Sequence, residues 1–275
     1  MDHADPTDLD FALRFCDHAD RITMGIFGTS DLVVETKPDR SPVSEGDRAV
    51  ELALRDALVA SRPGDRVLGE EFGLRAGADG GDRQWIIDPI DGTANFIRGL
   101  PLWATLLALE ISGEVVLGAV SAPALGRRWW AGRGLGAFAT SIGSARPRKL
   151  SVSAVGDLAD AYVGGSSLTY WNDTNRKYDG WLALASHARW DRGIGDFWTH
   201  MLVAEGCVDV GVDPIGNLWD LAALKIIVEE AGGTFTDLAG DVRADGGNAL
   251  SSNGRLHQHA LELLNTQRHA PGPAG

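Results

Sequence analysis

Cysteine is scarce in this chain. Only Cys16 and Cys207 occur in 275 residues, with no CxxC and no cluster of His at ligand spacing. A disulfide-stapled fold, a thiol enzyme and a zinc site are therefore excluded. Cys16 falls in a helical pattern and Cys207 in an apolar one, so two buried thiols are expected. Positive charge is also short, with 25 Lys+Arg against 38 Asp+Glu and a net charge of −13. That balance excludes non-specific nucleic-acid and membrane-surface binding, leaving only a local basic pocket to take a phosphate. No apolar run approaches membrane-spanning length. The start, Met1-Asp2-His3-Ala4-Asp5, lacks the basic and apolar segments of a signal peptide. The cytoplasm is the expected compartment. Internal repeats and low-complexity segments are lacking too.

The rest is ordinary for a globular enzyme. Hydrophobic residues make up 44% and charged residues 23%, and the length allows one large core or two modest ones. Against that background Asp88-Pro89-Ile90-Asp91-Gly92-Thr93 stands out, preceded by Trp85-Ile86-Ile87. The apolar run is too short for a helix and reads as a buried strand, which delivers both Asp side chains at its carboxyl end. Open α/β sheets bind ligands there. Two carboxylates on a Pro-stiffened turn cannot both stay ionised at close range unless a cation offsets their repulsion. Oxygen ligands alone favour Mg²⁺ or Mn²⁺. Asp-Pro and Asp-Gly are also common turn formers, so the motif by itself leaves a plain turn open. An EF-hand loop counted from Asp88 fails, because Ile90 and Gly99 fall where acidic ligands are required.

Around the motif, Leu9, Ala12, Leu13, Cys16 and Ala19 recur at helical spacing, as do Ala49, Val50, Ala53, Leu54, Ala57 and Leu58. Between these helices, Glu35 to Val43 is polar and twice interrupted by Pro. It suits either a loop that moves over a site or a connector. Thr105–Ile111, Val115–Ser121 and Arg128–Thr140 predict an antiparallel meander with Gly-rich turns. The turn-rich stretch Ser141 to Lys149 marks a boundary, dividing a subdomain of residues 1–145 from one of 146–267, and 268–275 reads as a disordered tail. Glu70-Glu71 follows the apolar Val67-Leu68-Gly69, as if a strand ended there. Leu221, Leu224, Val228 and Ala231 predict a helix stopped by Gly232-Gly233, with Asp220 at its positive start. Trp129-Trp130, Trp171 and Trp181 read as core or dimer-interface residues, and His257 and His259 as solvent-exposed. Gly132 to Gly136 contains a GxGxG without a following helix, which excludes a dinucleotide site.

In this order the parts resemble the inositol monophosphatase superfamily of lithium-sensitive, Mg²⁺-dependent phosphatases, over about Leu9 to Leu264. The pieces are Asp47 after the Lys37 loop, Gly69-Glu70-Glu71, Trp85 to Phe96 around the Asp-Pro-Ile-Asp-Gly-Thr motif, and Trp219-Asp220 leading to Glu230-Ala231-Gly232-Gly233. The resemblance implies a mixed α/β (α+β) fold, a layered α-β-α-β-α sandwich of two subdomains with the active site between them, commonly as a homodimer. It implies that Glu70, Asp88 and the Ile90 carbonyl hold one Mg²⁺, and that Asp88, Asp91 and Asp220 hold a second. A third, weaker ion near Glu70 and substitution by Mn²⁺ are implied as well. Thr93 and Asp47 would take the proton of a metal-activated water, and Glu70 is counted with them as a catalytic residue. The N–H groups of Gly92, Thr93 and Ala94, with Asn95 beside them, would grip a small phosphorylated substrate.

Within the superfamily the chain is most similar to the histidinol-phosphate phosphatase branch, through Asn95 to Trp103 and Arg192 to Trp198. Arg192, Asp196 and Asp213 then join the substrate residues. Inositol phosphatases usually carry a small neutral residue near Asp196. Histidinol carries an ammonium and an imidazole, so carboxylates at its end of the pocket favour it over neutral inositol. Asp196 alternatively caps the helix through Met201, Leu202 and Ala204. Phe197-Trp198 departs from the branch and leaves the pocket's shape open. Hydrolysis of inositol 1-phosphate or another small alcohol phosphate is the competing activity. A non-catalytic metabolite-binding protein is disfavoured, because a pure binder needs no Thr93-Asp47 pair.

Overall fold

A computed structural model describes residues 5–38, 41–78, 80–141, 146–172 and 178–266. The predicted tail, 268–275, and residues 142–145 of the predicted boundary lie outside the described residues. The first helix, α1 (Pro6–Ile26), starts where Asp5 accepts a hydrogen bond from the Thr7 N–H at 2.8 Å and Pro6 presets the backbone. A hairpin of β1 (Val34–Thr36) and β2 (Pro42–Ser44) leads to α2 (Glu45–Ser61), which opens on a reciprocal capping box between Ser44 and Asp47. The predicted Glu35 to Val43 loop is thus largely hairpin.

An eight-stranded sheet follows from β3 (Arg66–Gly69), β4 (Gly73–Arg75), β5 (Arg83–Asp91), β6 (Ala104–Ile111), β7 (Glu114–Ala122), β8 (Arg127–Gly132), β9 (Gly136–Ser141) and β10 (Arg148–Lys149), in the order β10-β9-β8-β7-β6-β5-β3-β4. From β5 to β9 it is the expected antiparallel meander, and β3 runs parallel to β5. The short α3 (Thr93–Ile97) sits between β5 and β6. Strand alternation divides the apolar residues between two faces. Trp85, Ile87, Leu107 and Leu109 pack against α1 and α2 through Phe11, Phe15, Val50 and Leu54. Ile86, Leu106, Val120 and Trp129 face the opposite way.

The second half adds β11 (Tyr162–Gly165), α4 (Leu168–Asn172), α5 (Tyr178–His187), β12 (Trp190–Gly193), α6 (Asp196–Ala204), β13 (Val210–Asp213), α7 (Leu218–Glu230), β14 (Thr234–Thr236), β15 (Ala249–Ser252) and α8 (His257–Leu264). Its five strands run β12-β11-β13-β15-β14, with β12, β11 and β13 parallel. Helices α6 and α7 fill the space between the two sheets, sharing one core with both. A helix covered on two sides cannot show a narrow apolar stripe. Accordingly α7 buries Leu221, Ala222, Ala223, Leu224, Ile226, Ile227 and Val228. It approaches β7 so closely that a Cβ on Gly118 would lie 2.7 Å from the Ala223 carbonyl. Helices α5 and α8 cover the outer face of the second sheet, around Trp171, Trp181, Val163 and Val212. The result is the expected α-β-α-β-α layering.

Three local expectations resolve in detail. Cys16 is buried, but Cys207 is exposed, because α6 ends at Ala204 and the turn through Gly206 swings the thiol outward. His259 is exposed but His257 is buried, its ring nitrogens 2.8 Å from Ser252 Oγ and 3.0 Å from Thr236 Oγ1. Burial pushes its pKa down to about 4. Trp129 is fully buried and Trp130 half-buried on the opposite side of β8, while Trp171 and Trp181 stack at 5.3 Å.

Candidate active site

Residues three apart on a regular strand point to opposite faces. Asp88 and Asp91 escape that rule because β5 bulges: Asp88 pairs with Leu106 and Asp91 with Ala104, so one extra residue on β5 restores a common side. The bulge is pinned by its own groups. Ile90 N–H donates to Asp88 Oδ1 at 3.0 Å, and Thr105 Oγ1 donates to the Pro89 carbonyl at 2.8 Å. Gly92 follows in the left-handed region at φ +82, where an added Cβ would lie 2.8 Å from the Leu102 carbonyl. At the first turn of α3, the N–H groups of Thr93 and Ala94 have no intrahelical acceptor, and both residues line the cleft.

Asp220 arrives from α7, where its carboxylate accepts from Asn217 N–H at 2.6 Å as part of a cap. Oxygens of Asp88, Asp91 and Asp220 lie within 4.8 Å of one another. Burial, then the neighbouring carboxylates, hold Asp88 and Asp91 well above the usual carboxylate range, and burial raises Asp220 to about 6. Glu70 stands in the turn after β3. That turn is tied down by buried Glu51, which accepts from the N–H groups of Glu71 and Phe72 at 2.8 and 3.1 Å. Lys37 from the β1–β2 connection bridges Glu70 and Glu71 at 2.7 and 2.6 Å.

Thr93 Oγ1 donates to the Ile90 carbonyl at 2.9 Å and lies 3.4 Å from Asp47 Oδ1. Asp47 sits behind Thr93, fully buried, its other oxygen accepting from Ser44 N–H and Oγ at 2.7 and 2.6 Å. Burial raises its pKa to about 6. On the far side, Asp196 occupies a left-handed conformation at φ 50 and accepts from Asn95 Nδ2 at 3.2 Å. Burial, then Asp213 and Asp220, lift it to about 6. Its side chain makes no capping bond to α6. The cap comes from Asp91, whose Oδ2 accepts from Phe197 N–H at 2.8 Å, so Asp196 is free for another role. Asp213 ends β13 with Ser166 Oγ at 2.6 Å and His200 Nε2 at 2.9 Å.

These groups border one cleft of about 660 Å³. Glu70, Asp88, Ile90, Asp91, Gly92, Thr93, Ala94, Asn95, Asp196, Asp213 and Asp220 line it. Two residues singled out from the sequence do not. Asp47 lies one layer behind, and Arg192, on the exposed edge strand β12, bonds the Asp191 carbonyl and covers the Trp190 ring at 5.5 Å. Of the Phe197-Trp198 pair, only Phe197 reaches the lining, while Trp198 packs into the core. Sequence reading missed Ser166, Ser167 and Tyr170, which follow the end of β11. A strand ending in Gly164-Gly165 before two serines carries the same signal as the Asp88 strand.

Six of the lining side chains are carboxylates, and among the described residues the lining contains no Lys or Arg. The described residues therefore build no basic side-chain pocket for phosphate here. Lys37 already pairs with Glu70, but the closely spaced, oxygen-only set of Asp88, Asp91 and Asp220 fits hard divalent ions, and N–H groups supply further positive field.

A profile of the inositol monophosphatase family matches residues 7–270, and the chain belongs to that family. The histidinol-phosphatase of Mycobacterium tuberculosis is 50% identical over 258 residues, covering 94% of this chain and 98% of that one. The histidinol-phosphatase of Streptomyces coelicolor is 51% identical over 262 residues, covering 94% and 97%. Among solved structures, an IMPase of Thermotoga maritima superposes with a TM-score of 0.82 at 33% identity, covering 94% of this chain and 96% of its own. No helix among the described residues is long and apolar enough to cross a membrane.

Proposed function

We propose that this phosphatase hydrolyses histidinol phosphate to histidinol and inorganic phosphate. The observation that carries the reading is the set of carboxylates in the cleft. In this reading one end is Glu70, Asp88, Asp91 and Asp220, the three Asp oxygens lying within 4.8 Å of one another, and the other is Asp196 and Asp213 with Tyr170, which line the same cleft. The first end suits a phosphate brought in with cations, the second a leaving alcohol that is itself cationic. The similarity to two histidinol-phosphatases at about half identity supports the same substrate.

In this reading Glu70, Asp88, the Ile90 carbonyl, Asp91 and Asp220 hold two or three Mg²⁺ or Mn²⁺ ions. When bound, these ions acidify a water and neutralise charge on the leaving oxygen. The chain's own groups do the rest. Thr93 Oγ1, able to turn between the Ile90 carbonyl and Asp47 Oδ1, takes the water's proton and passes it to Asp47, whose raised pKa suits it to accept. N–H groups of Gly92, Thr93 and Ala94 hold phosphate oxygens. Asn95, donating to Asp196, sets that carboxylate against the ammonium or imidazole of the alcohol. We assign the metal-binding half to residues 1–145 and the half carrying Asp196, Asp213 and Asp220 to 146–267, in a cytoplasmic homodimer.

The test is phosphate release in Mg²⁺ buffer from histidinol phosphate, inositol 1-phosphate, fructose 1,6-bisphosphate and a nucleoside phosphate. Histidinol phosphate is expected to lead in kcat/KM by about tenfold or more, the factor one charge-assisted bond supplies. A lead for any neutral alcohol phosphate would overturn the assignment of the second end.

A further inference from the structure

Behind the recognition end of the cleft lies a chain of hydrogen bonds that the catalytic reading does not use. His200, midway along α6, is completely buried between the sheets, 5.7 Å from the Phe235 ring. Its Nδ1 lies 2.8 Å from Ser251 Oγ on β15 and its Nε2 2.9 Å from Asp213 Oδ2. The opposite oxygen of Asp213 accepts from Ser166 Oγ at 2.6 Å.

The order Ser251, His200, Asp213 resembles a nucleophilic triad and is not one. Ser251 is fully buried on its strand, away from the cleft lining, and Ser166 bonds the carboxylate instead of the imidazole. The chemistry runs toward Asp213. A carboxylate only accepts, so Nε2 carries the hydrogen of its bond, and in the neutral ring Nδ1 then accepts from the Ser251 hydroxyl. One fixed donor on each oxygen locks the rotation of the Asp213 carboxylate and leaves one lone pair per oxygen for a ligand. An imidazole in an apolar layer is costly unless both nitrogens are satisfied, and here both are.

We infer that His200 is a positioning residue: braced by Ser251, it aims the Asp213 carboxylate into the cleft and so sets the preference for a cationic leaving group. The inference rests on the proposed substrate and adds to it a specificity determinant that never touches substrate. Preorganised acceptors bind a cation without first giving up alternative rotamers.

The experiment compares kcat and KM for histidinol phosphate and inositol 1-phosphate, with melting temperatures, in wild type, His200→Phe, His200→Gln, Ser251→Ala and Asp213→Asn, and in His200→Phe combined with Asp213→Asn. Phe keeps the ring volume and removes both nitrogens, whereas the Gln amide restores a donor near Nε2. His200→Phe is expected to lower the ratio of the two kcat/KM values by about tenfold, chiefly through the KM for histidinol phosphate. Gln should recover most of that ratio, and Ser251→Ala, which removes one buried hydroxyl, should shift it the same way by about threefold. In the Asp213→Asn background the Phe substitution should change the ratio by less than about twofold, the signature of action through Asp213. Equal losses on both substrates, or an undiminished effect in the Asp213→Asn background, would reduce His200 to a core residue and overturn the inference. Should His200→Phe not fold, Ser251→Ala decides, an unchanged ratio counting against the role. A wild type that does not favour histidinol phosphate refutes the substrate, and the inference with it. A wild type that favours it, with a ratio indifferent to His200, refutes the inference alone.

Discussion

Replacing Asp220 with Asn is expected to end turnover and, in metal-free solution, to raise stability. A carboxyl that titrates near 6 instead of 3.8 is harder to ionise in the folded chain by about 3 kcal/mol. Its side chain stands at the wall of an open cleft, so screening by water trims that figure. Asn still offers an acceptor to the Asn217 N–H, now 2.6 Å from Asp220 Oδ2, but a neutral one, at a cost of about 1 kcal/mol. The net gain is about 1–2 kcal/mol, or about 2–6 °C in melting temperature for a chain of this size.

The sign follows from proton linkage. A folded-state pKa raised above the unfolded value gives stability that is present at low pH and lost as pH rises through about 6. The advantage of Asp220→Asn should therefore be full at pH 7.5 and shrink by roughly half at pH 5. Melting curves in EDTA at both values, repeated with saturating Mg²⁺, supply the assay. Metal should stabilise the wild type far more than the variant. A variant that melts below wild type in EDTA at pH 7.5, or one that keeps near-normal turnover in modest Mg²⁺, would refute the argument.

Four other outcomes can be stated briefly. Asp196→Asn should cost about 1.5–3 kcal/mol in kcat/KM for histidinol phosphate and little for inositol 1-phosphate; its melting temperature should not fall, because Asp196 makes no cap bond and Asn tolerates its left-handed backbone. Thr93→Ala should lower kcat by about a hundredfold with a small change in KM, and a change in KM alone would make Thr93 a binding group. Titration of the native protein with a thiol reagent should find one reactive cysteine, Cys207, with Cys16 reacting only after unfolding because burial pushes its thiol up to about 12. Gly69→Ala should destabilise by about 2–4 kcal/mol and lower turnover, because the new Cβ would lie 2.2 Å from the Glu51 carboxylate that holds the Glu70 turn, and a normal melting curve would count against that geometry.

Much of this was legible in the sequence where the signal is local. Trp85 to Thr93, with its apolar run and following turn, located the strand end. The spacing of Leu221, Leu224 and Val228 located the helix that brings Asp220. What stayed hidden depends on contacts between distant residues. Periodicity cannot announce the bulge that turns Asp88 and Asp91 to one side, since it exists only against β6. The cap on α6 comes from Asp91, 106 positions before the Phe197 N–H it accepts from, so a local reading had to leave Asp196 open as the cap. Cys207 and His257 were misjudged for the same reason, one by a turn that leaves the helix and the other by hydroxyls on two separate strands. Arg192 lies beside the Gly193 to Asp196 segment in sequence, yet it belongs to a strand whose side chains all meet solvent.

The two sheets divide the labour of the cleft in a way that bears on how such proteins diverge. Asp88, Asp91 and Thr93 hang from the eight-stranded sheet, while Ser166, Asp196 and Asp213 follow or end strands of the five-stranded one. On the proposed roles, substitutions that accumulate on the second sheet would exchange one alcohol for another without disturbing the hydrolytic groups on the first. The tie between Asp91 and Phe197 N–H marks the limit of that freedom. Any backbone change at the start of α6 acts directly on an acidic side chain of the other half. Inheritance can vary the side chains of this segment more easily than its path.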